Sequence, residues 1–332
     1  MKYQRTYWIG AAAFGGACLL AVSAPVFVAV HLSAGADQGE KSIVRVVSSQ
    51  DMIGGRGIHS KEEAGSHPFL APPSPLPSPP AVCPDFWSWT DEQQLGLVTD
   101  WQADPALPAD IVSFIVHAVA VKKMWLTTRN NLANALCNQH DCAIDLTSLF
   151  QSMVLDRSES DPWREYALQH LAVSLGKNPA PNSGLAVLWG LAESGPQNLA
   201  GTALLQLNRL CESGITTLDD RYDALLIERA RGGQDIAEEV QTTAISLLGE
   251  RKVLAALELI RVLTRHPSAS VRRTAIASMG TIGSDTDLPM LRGFIDDSDA
   301  NIVAAAISAI QVLCAVEKQR STDHSRVPSS TF

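Results

Sequence analysis

His266-Pro267-Ser268-Ala269-Ser270-Val271-Arg272-Arg273-Thr274-Ala275-Ile276-Ala277-Ser278-Met279-Gly280 decides how this chain of 332 residues is read. Val271, Ala275, Ile276 and Met279 are apolar, and their spacing puts them on one face of a helix. At the centre of that face stands an alanine, small enough for a neighbouring helix to approach closely. The pattern recurs around Ala167, Ala203, Ala244 and Ala306. Four residues before these alanines stand Trp163, Leu199, Val240 and Ile302; one residue after stand Leu168, Leu204, Ile245 and Ile307; four after stand Leu171, Leu207, Leu248 and Ile310. Successive alanines are separated by 36, 41, 31 and 31 residues, which is the length of a helical hairpin. One such hairpin cannot hide its apolar face alone, and stacking on its neighbours hides it.

Moving outward, each of these helices has a candidate partner before it: 146–154, 184–192, 218–230, 253–260 and 288–295. Pro162 and Pro196 suit helix starts, where the missing N–H would be unpaired anyway. Thr90 with Gln93 has the form of a capping box, and a further helix is expected from Pro108-Ala109-Asp110 into 111–125. Apolar residues are 46% and aromatics only 6% of the chain, a balance that favours helix over sheet. The expected fold is all-α, an α-α superhelix. Its repeats span 146–318, preceded by an atypical helical cap at 90–145 and followed by a polar, disordered tail at 319–332.

The run 266–280 resembles the second helix of a HEAT repeat, especially the short phycobilisome-lyase-like subtype. The likeness rests on the Val271-Arg272 pair, the small residue three positions after Arg272, and the Met279-Gly280 end. Asp296-Asp297-Ser298-Asp299-Ala300-Asn301-Ile302 is similar to the acidic turn before the next such helix, although Val303 stands where the arginine would be. Arg164 matches the arginine position; Ala200 and Gln241 depart from it. The likeness is good over 235–315, fair over 146–234 and weak over 90–140, where Arg129 falls in an apolar slot. It implies a HEAT-like solenoid whose second helices line a concave surface, and a binding protein with a protein partner. Arg164, Arg272 and Arg273 are the candidates to touch that partner; for Arg272 the resemblance favours a structural arginine that holds adjacent repeats together. The same likeness implies an alternative, a lyase that attaches a bilin to cysteine, and a purely structural envelope spacer is a third reading.

Before the repeats lie two segments of different character. Lys2 and Arg5 precede a stretch without formal charge from Tyr7 to Leu32, long enough to cross a bilayer with the body outside the cytoplasm. Residues 1–36 are therefore read as a signal anchor, or as a signal peptide cleaved after Ala36. Residues 37–89 are expected as a disordered stalk. Eight prolines fall between Pro68 and Pro84, which favours an extended polyproline II spacer. The expected location is the cell envelope, as a single-pass protein with an extracytoplasmic body, or free in the periplasm or medium if cleaved.

Chemistry-bearing motifs are few. The net charge is −9, and −11 without the first 36 residues, which argues against nucleic acid as a partner. Cys137, His140 and Cys142 form Cys-x-x-His-x-Cys, which lacks the fourth ligand of a closed zinc site and the Cys-x-x-Cys-His of haem attachment. Outside the cytoplasm a Cys137–Cys142 disulfide is the leading reading, with free thiols and a metal site as alternatives. Asp297, Asp299 and Asn301 begin like a calcium loop, but Ile302 and Ser308 occupy the Gly and Glu positions, so a helix N-cap explains them. No nucleophile elbow, zinc-protease or phosphate-loop motif occurs. No enzyme activity, cofactor or metal is expected.

Overall fold

The structure is a computed structural model that describes residues 83–140, 142, 144–177 and 182–324. The chain divides into two units, Met1–Pro73 and Ser74–Phe332, and every described residue lies in the second. The expected membrane or signal segment, the stalk up to residue 82 and the tail beyond 324 lie outside the described residues. Among those described, no helix is long and apolar enough to cross a membrane.

Thirteen α-helices and no strand are found among the described residues: α1 (Asp91–Ala103), α2 (Ala109–Val119), α3 (Leu126–Asn138), α4 (Leu146–Leu155), α5 (Asp161–Lys177), α6 (Asn182–Ser194), α7 (Gln197–Glu212), α8 (Asp220–Arg231), α9 (Glu238–Glu250), α10 (Leu257–Leu263), α11 (Ala269–Ile282), α12 (Leu288–Arg292) and α13 (Ala300–His324). They pair as hairpins: α2 with α3, α4 with α5, α6 with α7, α8 with α9, α10 with α11, and α12 with α13. The second helices also pack on one another in chain order, α3 on α5, then α7, α9, α11 and α13. This is the helical repeat superhelix expected from the period. All five repeat alanines are fully buried, as are Leu168, Leu204, Ile245 and Ile276. Each buried leucine or isoleucine stabilises the stack by about 1.5–3 kcal/mol, so one continuous apolar seam holds the row together.

Three expectations change at the ends. The helix expected over 111–125 stops at Val119, and α3 begins at Leu126. With that break, α2 and α3 form a sixth hairpin inside the stretch read as an atypical cap, and α1 packs beside α3 as the first member of the row. The folded body also begins earlier than residue 90. Phe86, in a short 3-10 turn at Phe86–Ser88, is fully buried between Trp101 (6.3 Å) and Phe114 (5.2 Å). Gln94 donates from Nε2 to the Phe86 carbonyl at 2.8 Å. Proline density hid this anchor, because burial of one aromatic outweighs the local bias of its neighbours. At the other end α13 runs to His324, through the first six residues of the expected tail.

Local signals hold where backbone groups need them. Thr90 and Gln93 exchange capping hydrogen bonds at 3.0 and 3.3 Å, closing the N-terminus of α1. Asp297 and Asp299 accept from the N–H groups of Asp299 and Asn301 at 2.8 and 2.9 Å, as a helix entry requires.

Candidate protein-binding face

The three candidate arginines lie in α5 and α11, two of them at one slot of the repeat, three residues before the alanine. In α5 that residue is Arg164, buried, with Nε donating to the Val154 carbonyl at 2.9 Å. Val154 closes the first helix of the same hairpin. Arg129 repeats the geometry one hairpin earlier: its Nε donates to the Val119 carbonyl at 2.7 Å. In α9 the slot holds Gln241, whose Nε2 reaches the Ala230 carbonyl at 3.0 Å. In α11 it holds Arg272, which donates to the carbonyls of His266 and Pro267 at 2.9 and 2.8 Å. The last carbonyls of a helix have no partner within it, and a donor from the returning helix satisfies them and fixes the turn. Arg164 and Arg272 are therefore hairpin clamps, and only Arg273 among the three candidates is exposed.

Two hairpins do without a clamp for visible reasons. The α6–α7 link is only Gly195-Pro196, whereas the other hairpins use five to seven residues. Ala200 suffices at the slot there. Val303 fills it in α13, where Asp297 and Asp299 already cap the turn.

Arg129 does more than its counterparts. Its two terminal nitrogens meet both oxygens of Glu159 at 2.8 and 2.7 Å, and its guanidinium lies 3.9 Å from the centre of the Trp163 ring. Arg129 and Glu159 are both buried. The pair ties the first hairpin to the loop of the second. The resemblance puts Arg129 in an apolar slot; in the structure it instead takes the clamp position, its Nε reaching the end of the preceding helix as that of Arg164 does. A comparison of Arg129 with Arg164 by register is the signal that finds it.

The free side of the second helices carries Thr202, Leu205, Thr242, Thr243, Ser246, Arg273, Thr274, Ala277 and Thr281, all half-buried or exposed. Four of these threonines spend their hydroxyls on their own helix: Thr242 and Thr243 bond the Glu239 carbonyl at 3.0 and 2.8 Å, Thr274 that of Ser270 at 3.0 Å, and Thr281 that of Ser278 at 2.7 Å. What remains to present is their methyl groups. The face is thus weakly apolar with isolated charges at Arg209, Glu250 and Arg273, and Arg273 forms no ion pair with any described residue.

Cys137 and Cys142 are free thiols in this structure. Cys137 is buried, its sulfur 3.8 Å from Nδ1 of His170, whose Nε2 lies 2.9 Å from Oδ1 of Asn130. Burial pushes the Cys137 thiol up to about 12 and the His170 imidazole down to about 4. A neutral thiol beside a neutral imidazole is a packed core contact; an activated cysteine needs the opposite shift and an approach for substrate. Lys177 crosses to the carbonyls of Cys137 and Gln139, which closes the cluster further. Among the described residues no group of three His, Cys, Asp or Glu is arranged to hold a metal ion.

No curated protein matches the chain. Residues 224–311, from within α8 into α13, match the family model of HEAT repeats, and the chain is a helical-repeat protein that carries HEAT repeats.

Proposed function

We propose that the chain is a non-catalytic scaffold or adaptor of the cell envelope, which holds a protein partner on the free side of its second helices. HEAT repeats are in general protein-interaction scaffolds. The observation that carries the reading is the threonine-methyl face with Arg273 at its centre: an ordered, weakly apolar surface that no described residue covers. Such a surface loses little on desolvation, and an unpaired arginine on it adds selectivity for an acidic group. The Val271-Arg272 pair and the Met279-Gly280 end support a place in the phycobilisome-lyase-like subtype, as a likeness of fold alone. The envelope part rests on the uncharged stretch from Tyr7 to Leu32 behind Lys2 and Arg5, with the proline-rich segment as the spacer. A disulfide between Cys137 and Cys142 belongs to the same proposal, as a staple formed after export.

The test is a photo-crosslinking amino acid at Thr242 or Ala277, followed by membrane fractionation and purification. A stoichiometric partner joined at these positions supports the scaffold. The charge reversal Arg273→Glu should then weaken its binding by about two- to fivefold, the effect of an exposed charge. Crosslinks confined to first helices, or an undiminished complex with Arg273→Glu, would remove this face from the account.

A further inference from the structure

Eight carboxylates among the described residues are half-buried or buried, and seven of them are satisfied. Asp156, Glu159, Glu193, Asp223 and Asp287 pair with Lys122, Arg129, Arg221, Arg251 and Arg261 in turn. Asp297 and Asp299 accept N–H groups at the entry to α13. The eighth, Glu165 in α5, has neither a cation nor a hydrogen-bond donor among the described residues. Burial, and then the like charge of Asp161 one turn before, push its carboxyl above the ordinary range. A half-covered charge without a partner costs stability, and groups of this kind gather at binding and catalytic sites.

The repeat sets its place. Glu165 follows the clamp Arg164 as Arg273 follows Arg272, and both stand two residues before the repeat alanine. In α7 that slot is Gly201, where an added Cβ would meet Thr243 and Val240 of α9 at 3.5 and 3.7 Å. The slot therefore lies at the crossing to the next second helix, half-covered by it and open on the free side. Counted from the clamps Arg129 and Arg164, Asn131 and Asn134 of α3 answer to Tyr166 and Gln169 of α5. The side chains of these four are half-buried and hydrogen-bond to no described residue.

We propose that Glu165 receives a lysine or arginine of the protein partner, whose main chain crosses α3 and α5 in extended form over Asn131, Asn134 and Gln169. This rests on the scaffold reading and adds a second charged contact to it. A carboxylate selects a cation, and one carboxylate without further oxygen ligands does not hold a metal ion. Each carboxamide offers a donor and an acceptor, the complement of the N–H and C=O of an extended segment, which have no partner within their own strand. Arg209 and Glu250 do not compete for the site. They share the slot six residues after the alanine, about 12 Å further along the helices, and oppose each other in sign. Arg273 stands three second helices from Glu165, about 24–30 Å at 8–10 Å per step. The partner segment thus carries a basic residue for Glu165 and an acidic one for Arg273, about seven to nine residues apart when extended.

The probe is a short peptide of alternating lysine and serine, titrated against the full chain while carbon-13 NMR follows the glutamate carboxyls. The Glu165 carboxyl should shift and titrate lower, towards the ordinary carboxylate range. Glu165→Gln should weaken the peptide about three- to tenfold. Glu250→Gln, which removes an exposed carboxylate of the same face, should change it by less than about twofold. Because Glu165 is unpaired, the urea midpoint of Glu165→Gln should equal or exceed that of the parent, whereas loss of a structural carboxylate would lower it. A peptide that does not bind, equal binding by Glu165→Gln and parent, or a lowered midpoint would each overturn the proposal. So would a photo-crosslinking amino acid at Gln169 that joins residues 1–82 or 325–332 of the same chain, since the cation would then come from within. The scaffold reading is tested apart, by the partner joined at Thr242 or Ala277. Retention of that partner by Glu165→Lys would sink this inference and leave the scaffold standing; no partner there, with the peptide still held by Glu165, would do the reverse.

Discussion

The first two hairpins, α2 to α5, and the last three, α8 to α13, solve the same packing problem by different means. In the first region neighbouring hairpins are joined by buried polar groups: Arg129 with Glu159, His170 with Asn130, and Lys177 with the end of α3. In the last region Arg261 and buried Asp287 link α10 to the turn before α12, but the second helices come together through small residues. A Cβ added at Gly280 would stand 2.7 Å from Cα of Ala309, and one at Gly249 would stand 2.9 Å from Cβ of Ser278. Ser278 itself reaches the Ile245 carbonyl at 2.9 Å. Close approach leaves no room for long side chains; wider spacing leaves polar groups that must then be satisfied inside. The lesson is that one repeat geometry tolerates either solution, and that only the small-residue solution looks like the family. The match to HEAT repeats over 224–311 falls in the second region.

The sharpest way to break the contrast is Arg129→Ala. It strands Glu159 in the interior, and the expected loss of stability is about 3–5 kcal/mol by urea unfolding. Replacing both partners with apolar residues, Arg129→Met with Glu159→Leu, should recover most of that loss. If the single and double variants are equally damaged, the ion pair is not what joins the hairpins.

Acid should act on the same region. His170 is buried neutral, and burial holds its folded-state value at about 4, below the ordinary range near 6.5. Between those values the unfolded chain binds a proton that the native chain does not. Stability is therefore fully present above about pH 6.5 and declines as pH falls towards 4, by about 3 kcal/mol at most. A series of urea midpoints from pH 7 to pH 4.5 measures it. His170→Asn should flatten the slope relative to the parent.

At the other end, Gly280→Ala forces α13 away from α11, because the atom it meets is backbone. A loss of about 1–3 kcal/mol is expected, the usual cost of overpacking. Hydrogen exchange should show it as faster exchange in α13, with α2 to α5 unchanged. The smallest effect tests the rule behind the contrast. Gly96 lies inside α1 with nothing within 4 Å of an added Cβ. Gly96→Ala should raise stability, by no more than about 1 kcal/mol, through helix propensity alone. A loss there would mean that helix spacing is not what separates the two glycines.

Much of the fold was legible without coordinates. The five alanines, the apolar positions around them and the hairpin period identified the repeats from Leu146 to the last helix. The start of the body was not, because Phe86 sits among prolines and its partners Trp101 and Phe114 are distant in sequence. Of the three candidate arginines, Arg273 is exposed, while Arg164 and Arg272 point back to carbonyls of their own hairpins, a structural role that the resemblance had already favoured for Arg272. An arginine at a given helical position reads the same in sequence whether it meets a partner or a loop.

By itself, then, the amino-acid sequence determined what depends on spacing along one helix: which residues share a face, where alanine permits contact, and how long each hairpin is. Side-chain pattern and period are local quantities, and a helix expresses them wherever it is placed. Only the tertiary structure decided the register of α3, the pairing of Arg129 with Glu159 thirty residues away, the burial of Phe86 and the exposure of Ile307. Each of these depends on which neighbour a helix has, and a neighbour is present or absent in space, not in the order of the chain.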